Sequence, residues 1–291
     1  MNPLRDHDYR PWMSGDGVPA MGLKPLPPDG WLEPGRDFAA QMAERERLLA
    51  EKFGEVCIIG PGTEAAQAEI LARIIDDLGR CHPGLYEFTE SSARCRIDGR
   101  KIDLAGDAPP IVTAARLVQE DLCLVSPREG AHVLTAAVLC FPSRWRLAEK
   151  IGLAVDAIHG PVPVYPEKLA RPVDRFFEVL KPGRPVWRIN WSLHATAELF
   201  QPGGERRLED NRAAIMPEGW FIRMERQVLR RLECGDVLFS IRTHLRALGE
   251  LAADSESRKQ MAAALRSMPA ATLAYKNLTG TLPALLEWLE R

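Results

Sequence analysis

From Asp37 to about Phe53 a nonpolar stripe recurs at helical spacing through FAAQMAERERLLAEKF, which predicts an amphipathic helix. A second helix is expected from Thr63, a suitable N-cap after Pro61 and Gly62, through AAQAEILARIIDDL to Gly79. The period then shortens. Strand-like runs cover residues 86–89, 94–97 and 101–104, and Asp98-Gly99 between flanking strands is a hairpin signal. A short helix over 110–119 precedes strands at 122–126 and 131–141. The stretch 143–158, WRLAEKIGLAVDAI and its flanks, reads as one helix ending before His159, and 166–180 as another.

Three strands follow, at 185–193, 219–232 and 236–245, the last two joined by Glu233-Cys234-Gly235. In the last strand Val237, Phe239, Ile241 and Thr243 share one face, and Leu238, Ser240, Arg242 and His244 the other. The tail from Arg246 is expected to be helical, and LPALLEWLER to dock through its apolar face. Residues 1–35 are rich in proline and glycine, which argues against regular structure there, while Trp12 and Trp31 imply that the segment lies against the body. A hairpin, short helices and then three antiparallel strands is the order of an α+β chain, with an antiparallel sheet flanked by helices. The expected organisation is one structural domain: an extension over 1–84 with two helices, a core over 85–245, and a helical extension over 246–291.

Composition narrows the chemistry. A formal net charge of −2 gives no basic field for nucleic acid or an anionic membrane. No apolar run approaches the roughly 20 residues that span a bilayer, and the polar, proline-containing start is unlike a secretory leader, so a cytoplasmic location is expected. Cys57, Cys81, Cys95, Cys123, Cys140 and Cys234 form no CxxC pair, which argues against zinc and iron–sulfur sites. Several lie in apolar runs, where a free thiol acts as a small hydrophobe.

The segment 56–65, VCIIGPGTEA, resembles a dinucleotide fingerprint, but Asp76 and Asp77 fall inside the helical pattern and no second strand precedes them. A helix N-cap turn explains it better. Among His7, His82, His132, His159, His194 and His244 there is no HExxH or close pair. His159 differs in context, because it stands where an apolar helical run meets Gly160-Pro161, a position suited to axial ligation of a flat hydrophobic cofactor. On the late strands Arg223, Glu225 and Gln227 share one face while Arg226 lies on the other, and Arg242 interrupts an apolar run. Two readings fit that pattern: a solvated, ion-paired sheet face, and a polar cluster over a pocket.

Several segments, in order, resemble the haem-dependent oxidative N-demethylase family: RLVQEDLCL (116–124), LCFPSRW (139–145), Lys150-Ile151-Gly152, IHGPVPVY (158–165), RINWSL (188–193), ERQVLRRL (225–232) and LFSIRTHL (238–245). The resemblance implies a PAS-like fold carrying haem b. It also implies oxidation of a small secondary methylamine such as dimethylamine with O₂, giving formaldehyde and a primary amine. Electrons would come from NADPH through partner flavin and iron–sulfur subunits, beside a folate-binding subunit. Carried onto this chain, it makes His159 the expected iron ligand, with His194 in reserve. Glu225 and Arg242 are then the expected catalytic residues, and Arg226, Arg223 and Asn190 the expected cofactor contacts. A homodimer is also expected. A non-catalytic haem or small-ligand sensor and an apo structural subunit are the competing readings.

Overall fold

A computed structural model describes residues 4, 7–14, 22–160, 170–203 and 217–291. A short 3-10 turn (Pro11–Ser14) and the strand β1 (Lys24–Pro25) precede α1 (Phe38–Glu51), the single turn α2 (Phe53–Val56), β2 (Cys57–Ile59) and α3 (Glu64–Cys81). A small sheet of β3 (Tyr86–Phe88), β4 (Ser92–Cys95) and β5 (Lys101–Asp103) leads through α4 (Pro110–Ala115) to β6 (Asp121–Arg128) and β7 (Ala131–Val138). Next come α5 (Val155–His159), α6 (Ala170–Val179), β8 (Val186–His194), β9 (Phe221–Arg231) and β10 (Val237–Ala247). The chain closes with α7 (Ser255–Ser267), α8 (Ala270–Tyr275) and α9 (Leu282–Glu290).

The main sheet runs β1-β8-β9-β10-β6-β7-β2, and its pairs are antiparallel. The chain is α+β. One face of the sheet carries Leu122, Leu124, Ala136, Val138, Val228 and Leu238 into a core shared with Phe38, Met42 and Leu48 of α1 and Ile70, Ile74 and Leu78 of α3. Spacing of four residues puts those α3 side chains on one stripe. At the far end of this face, Ile222 and Met224 pack with Met261 and Leu265 of α7 and with Leu285, Trp288 and Leu289 of α9. The C-terminal docking expected from LPALLEWLER is therefore present. The opposite face is lined by Cys123, Val125, Val237 and Ile241, and covered by Val155 of α5 with Phe177 and Leu180 beside α6.

The long helix expected over 143–158 is broken. Arg144 has φ of 64° and Gly152 of 79°, both left-handed, so the helix cannot propagate through them. Instead the chain pairs back on β7: Gly152 N donates to Leu134 O at 2.8 Å and Leu134 N to Leu153 O at 3.1 Å. A 3-10 turn at Leu147–Glu149 and α5 are what remain helical, and α5 includes His159. Residues 161–169, which hold most of the Gly-Pro-Val-Pro motif and the expected start of the next helix, lie outside the described residues.

The N-terminal segment is more regular than its composition implies. β1 pairs with the end of β8 through Lys24–Trp187 and Pro25–Val186, where an edge position tolerates proline. Trp12 and Trp31 are buried, at 2% and 1% exposure. At the dinucleotide-like turn β2 precedes the glycines and α3 follows with Thr63 at its N-cap, and Asp76 and Asp77 lie inside that helix as expected. That strand pairs antiparallel with β7, and Gly60 N bonds Thr135 O at 2.8 Å. A Cβ on Gly60 would lie 2.7 Å from that carbonyl, so close backbone packing explains this glycine.

Candidate functional site

Alternation and register place a polar cluster on the face covered by α5 and α6. Asn190 of β8 stands opposite Glu225 of β9, with Arg188 opposite Gln227 and Ser192 opposite Arg223. Directly opposed residues share a face, so the six side chains form one patch. Glu225 is its centre. Its Oε2 accepts from Asn190 Nδ2 at 3.3 Å and Gln227 Nε2 at 3.2 Å, and Arg223 Nε lies 3.7 Å from Oε1. Arg188 Nε in turn donates to Gln227 Oε1 at 2.8 Å. Arg223 is fully buried, which disfavours its charge, while Glu225 and Asp121 offset part of that cost. Its guanidinium is held by Phe141 O at 2.5 Å and Leu199 O at 3.3 Å.

Along the same face the lining turns apolar. Phe239 is opposite Leu229 and Ile241 opposite Gln227, and both pack with Ile158, Trp145 and Phe176. The face is thus apolar at one end and charged at the other.

His159 closes α5 beside this boundary. Its Nδ1 and Val155 O are 2.7 Å apart; with the carbonyl as acceptor, the proton sits on Nδ1 and the lone pair on Nε2. Burial pushes the imidazole below its ordinary value despite the Val155 carbonyl, and Arg188 and Lys150 press the same way. A neutral ring with Nδ1–H anchored on a carbonyl is the state that ligates a metal. Lys150 Nζ also holds the end of α5 through Ile158 O at 3.0 Å.

His194 lies on the same face. Its Nε2 is 2.7 Å from Ser192 Oγ and its Nδ1 2.8 Å from Gln201 Oε1, with 1% of the residue exposed. Both ring nitrogens are engaged internally.

Arg226 and Arg242 are on the opposite face, paired with each other across β9 and β10. Arg242 is fully buried and binds Asp37 Oδ1 at 2.7 Å, Gln41 Oε1 at 2.7 Å and Glu33 O at 3.1 Å. Arg226 donates to Trp31 O at 2.9 Å and to Gly30 O, and pairs with Glu33 at 2.9 Å. The sequence reading grouped these arginines with Glu225 in function. Sheet alternation instead commits both to the N-terminal segment.

Sequence reasoning missed Lys276 and gave Arg144 no role. Lys276 Nζ donates to Trp191 O at 2.6 Å and lies 3.5 Å from Asn190 Oδ1, at the polar end of the site. Arg144 stands inside the LCFPSRW motif, which was a usable signal. Lys276, in a tail with no motif, had none.

The geometry defines an α+β chain whose half-buried sheet face carries a polar cluster centred on Glu225, with His159 at the end of α5. A model of the family "haem-dependent oxidative N-demethylase, alpha subunit-like" matches residues 22–286, and the chain belongs to that family. Among the described residues no helix is long and apolar enough to cross a membrane.

Proposed function

We propose that this chain is a haem-binding subunit that oxidatively N-demethylates a small secondary methylamine of the dimethylamine type. The reaction would consume O₂ and reducing equivalents, giving formaldehyde and a primary amine. The observation that carries the reading is His159, held neutral with Nδ1 on Val155 O, at the edge of a face that is apolar at Phe239 and Ile241 and charged at Arg188 and Glu225. That combination fits haem b: His159 Nε2 would ligate iron, the apolar wall would receive the macrocycle, and Arg188 at the charged end would take a propionate. Haem, when bound, supplies the redox and oxygen-handling chemistry.

The chain's own groups account for the rest. Glu225 pairs with the substrate ammonium and accepts its proton, while Asn190 and Gln227 hold the carboxylate in place. Arg223, anchored on the backbone carbonyls of Phe141, Leu199 and Glu198, keeps a fixed positive charge behind Glu225. Arg226 and Arg242 take no part in this assignment. NADPH-derived electrons would arrive through partner flavin and iron–sulfur subunits, with a folate-binding subunit receiving the one-carbon product. A cytoplasmic location and a homodimer belong to the same reading.

The test is a visible spectrum of the chain with haem supplied, for wild type, His159→Ala and His194→Ala. A Soret band that is lost or shifted only in His159→Ala supports the assignment. No Soret band in wild type discards haem chemistry by this chain.

A further inference from the structure

The C-terminal extension reaches the polar cluster through one side chain. Lys276 follows α8 where the chain doubles back: Asn277 has φ of 55°, and Leu278 N bonds Leu273 O at 2.8 Å. Lys276 Nζ caps Trp191 O, and two residues along β8 Arg144 Nη2 caps Leu193 O at 3.0 Å. β1 pairs with β8 only at Val186 and Trp187, so these carbonyls lie on the strand edge that it leaves uncovered. Arg144 Nη1 also donates to the carbonyl of Lys276 itself at 2.7 Å.

Capping an edge needs no more than that, yet the arrangement has two further features. Arg144 has φ of 64°, so two of the three non-glycine left-handed residues among the described residues meet at this clamp. Such conformations persist where the surroundings over-determine them, and they gather at functional sites. Lys276 also makes its second contact, to Asn190 Oδ1, on the face that carries Glu225.

We infer that Lys276 controls the Glu225 site as a built-in competing cation: it reaches Asn190 Oδ1 on the face that carries Glu225, where its ammonium stands against a cationic amine for that carboxylate. The C-terminal extension is then part of the site. This deepens the amine-site reading above and rests on Glu225 facing the substrate.

The charged groups around Lys276 give the inference a pH signature. Burial is the largest influence and brings the amine down to about 8; Glu225 on β9 favours its charge, while Arg144 after β7 and Arg188 on β8 disfavour it. Arg223 stays charged beside Glu225, and His159, held below its ordinary value near Arg188, is neutral in this range. As pH rises through 8, Lys276 loses its charge and stops competing with a cationic amine for Glu225. A secondary aliphatic ammonium keeps its own charge there.

The experiment titrates the haem-supplied full chain with dimethylammonium chloride, read by the Soret band, between about pH 6.5 and about pH 9.5. Wild type should bind roughly tenfold more tightly at the alkaline end, the size expected for removing a nearby like charge in a partly wet site. Lys276→Met should lose the pH dependence and bind well throughout. Lys276→Arg should lose it and bind weakly throughout. A Lys276→Met chain that keeps the wild-type rise overturns the inference.

A second arm needs neither haem nor amine. Trace acetylation of the folded chain, read by mass spectrometry against pH, should show Lys276 labelling with a midpoint near 8, moved lower in Glu225→Gln because the favouring carboxylate charge is gone. An unmoved midpoint overturns the coupling even if Lys276→Met fails to fold. A moved midpoint with no Soret response to dimethylammonium keeps the Lys276–Glu225 coupling and rejects the amine reading.

Discussion

Arg242 and Glu225 lie one register step apart on β10 and β9 and point to opposite faces of the sheet. Thr243 is the residue opposite Glu225, and Arg242 is opposite Arg226. The same ladder therefore builds two charged centres, one that fastens the N-terminal segment and one at the candidate site. Arg242→Ala removes the cation from Asp37, Gln41 and Glu33 O. Truncating one partner of such a buried network costs about 3 kcal/mol. Urea denaturation should show that loss while the folded variant, supplied with haem, keeps the wild-type Soret band. Normal stability with a lost band would return Arg242 to the cofactor.

Glu225→Gln preserves shape and an acceptor oxygen for Asn190 and Gln227 but removes the charge. Haem affinity should hold within a factor of about 2, and amine-dependent O₂ uptake with a supplied reductant should fall by about 100-fold, the usual scale for losing a proton acceptor. Unchanged uptake in a haem-loaded variant would remove Glu225 from the mechanism.

Acid should loosen the N-terminal segment through Glu33. Burial alone would raise this carboxyl, but His244, Arg226, His7 and Tyr9 outweigh it and hold it below its usual 4.5. Its contribution to stability is therefore fully present above about pH 4.5 and is lost as pH falls through the lower folded-state value. Urea midpoints measured across that window should drop more steeply for wild type than for Glu33→Gln. Equal slopes would show that the ion pairs with Arg226 and His244 do not drive the transition.

Gly60→Ala places a methyl 2.7 Å from the Thr135 carbonyl, a backbone atom that no side-chain rotation can move aside. Overpacking of this kind costs about 1–3 kcal/mol, and a thermal melt should register it. A neutral melt would mean that β2 can slide along β7.

Much of the architecture was legible because burial imposes period. The 3.6-residue stripe in α3 and the alternation in β10 each have to present one apolar face, whatever the partner, so both were readable before any partner was known. The helix expected over 143–158 was misread for the complementary reason. Leu147 and Val155 do face the core, but the backbone turns at Arg144 and Gly152 because β7 offers Leu134 as a pairing partner. A pairing partner outside the segment leaves no period within it.

The same division runs through the candidate site. The sequence by itself determined that Arg223, Glu225 and Gln227 share a face and that Arg226 lies on the other, since both follow from strand alternation. It did not determine the register that sets Arg242 opposite Arg226, and that pairing puts Arg242 on the face away from Glu225. Nor did it place Lys276, which lies 86 positions from Asn190. Contacts of that separation depend on how the extension wraps the edge of β8, a product of the packing of Trp288, Leu289 and Met261 on Ile222 and Met224. Local pattern fixes what a side chain shares with its neighbours on a strand or helix; only tertiary packing decides which distant charge it meets.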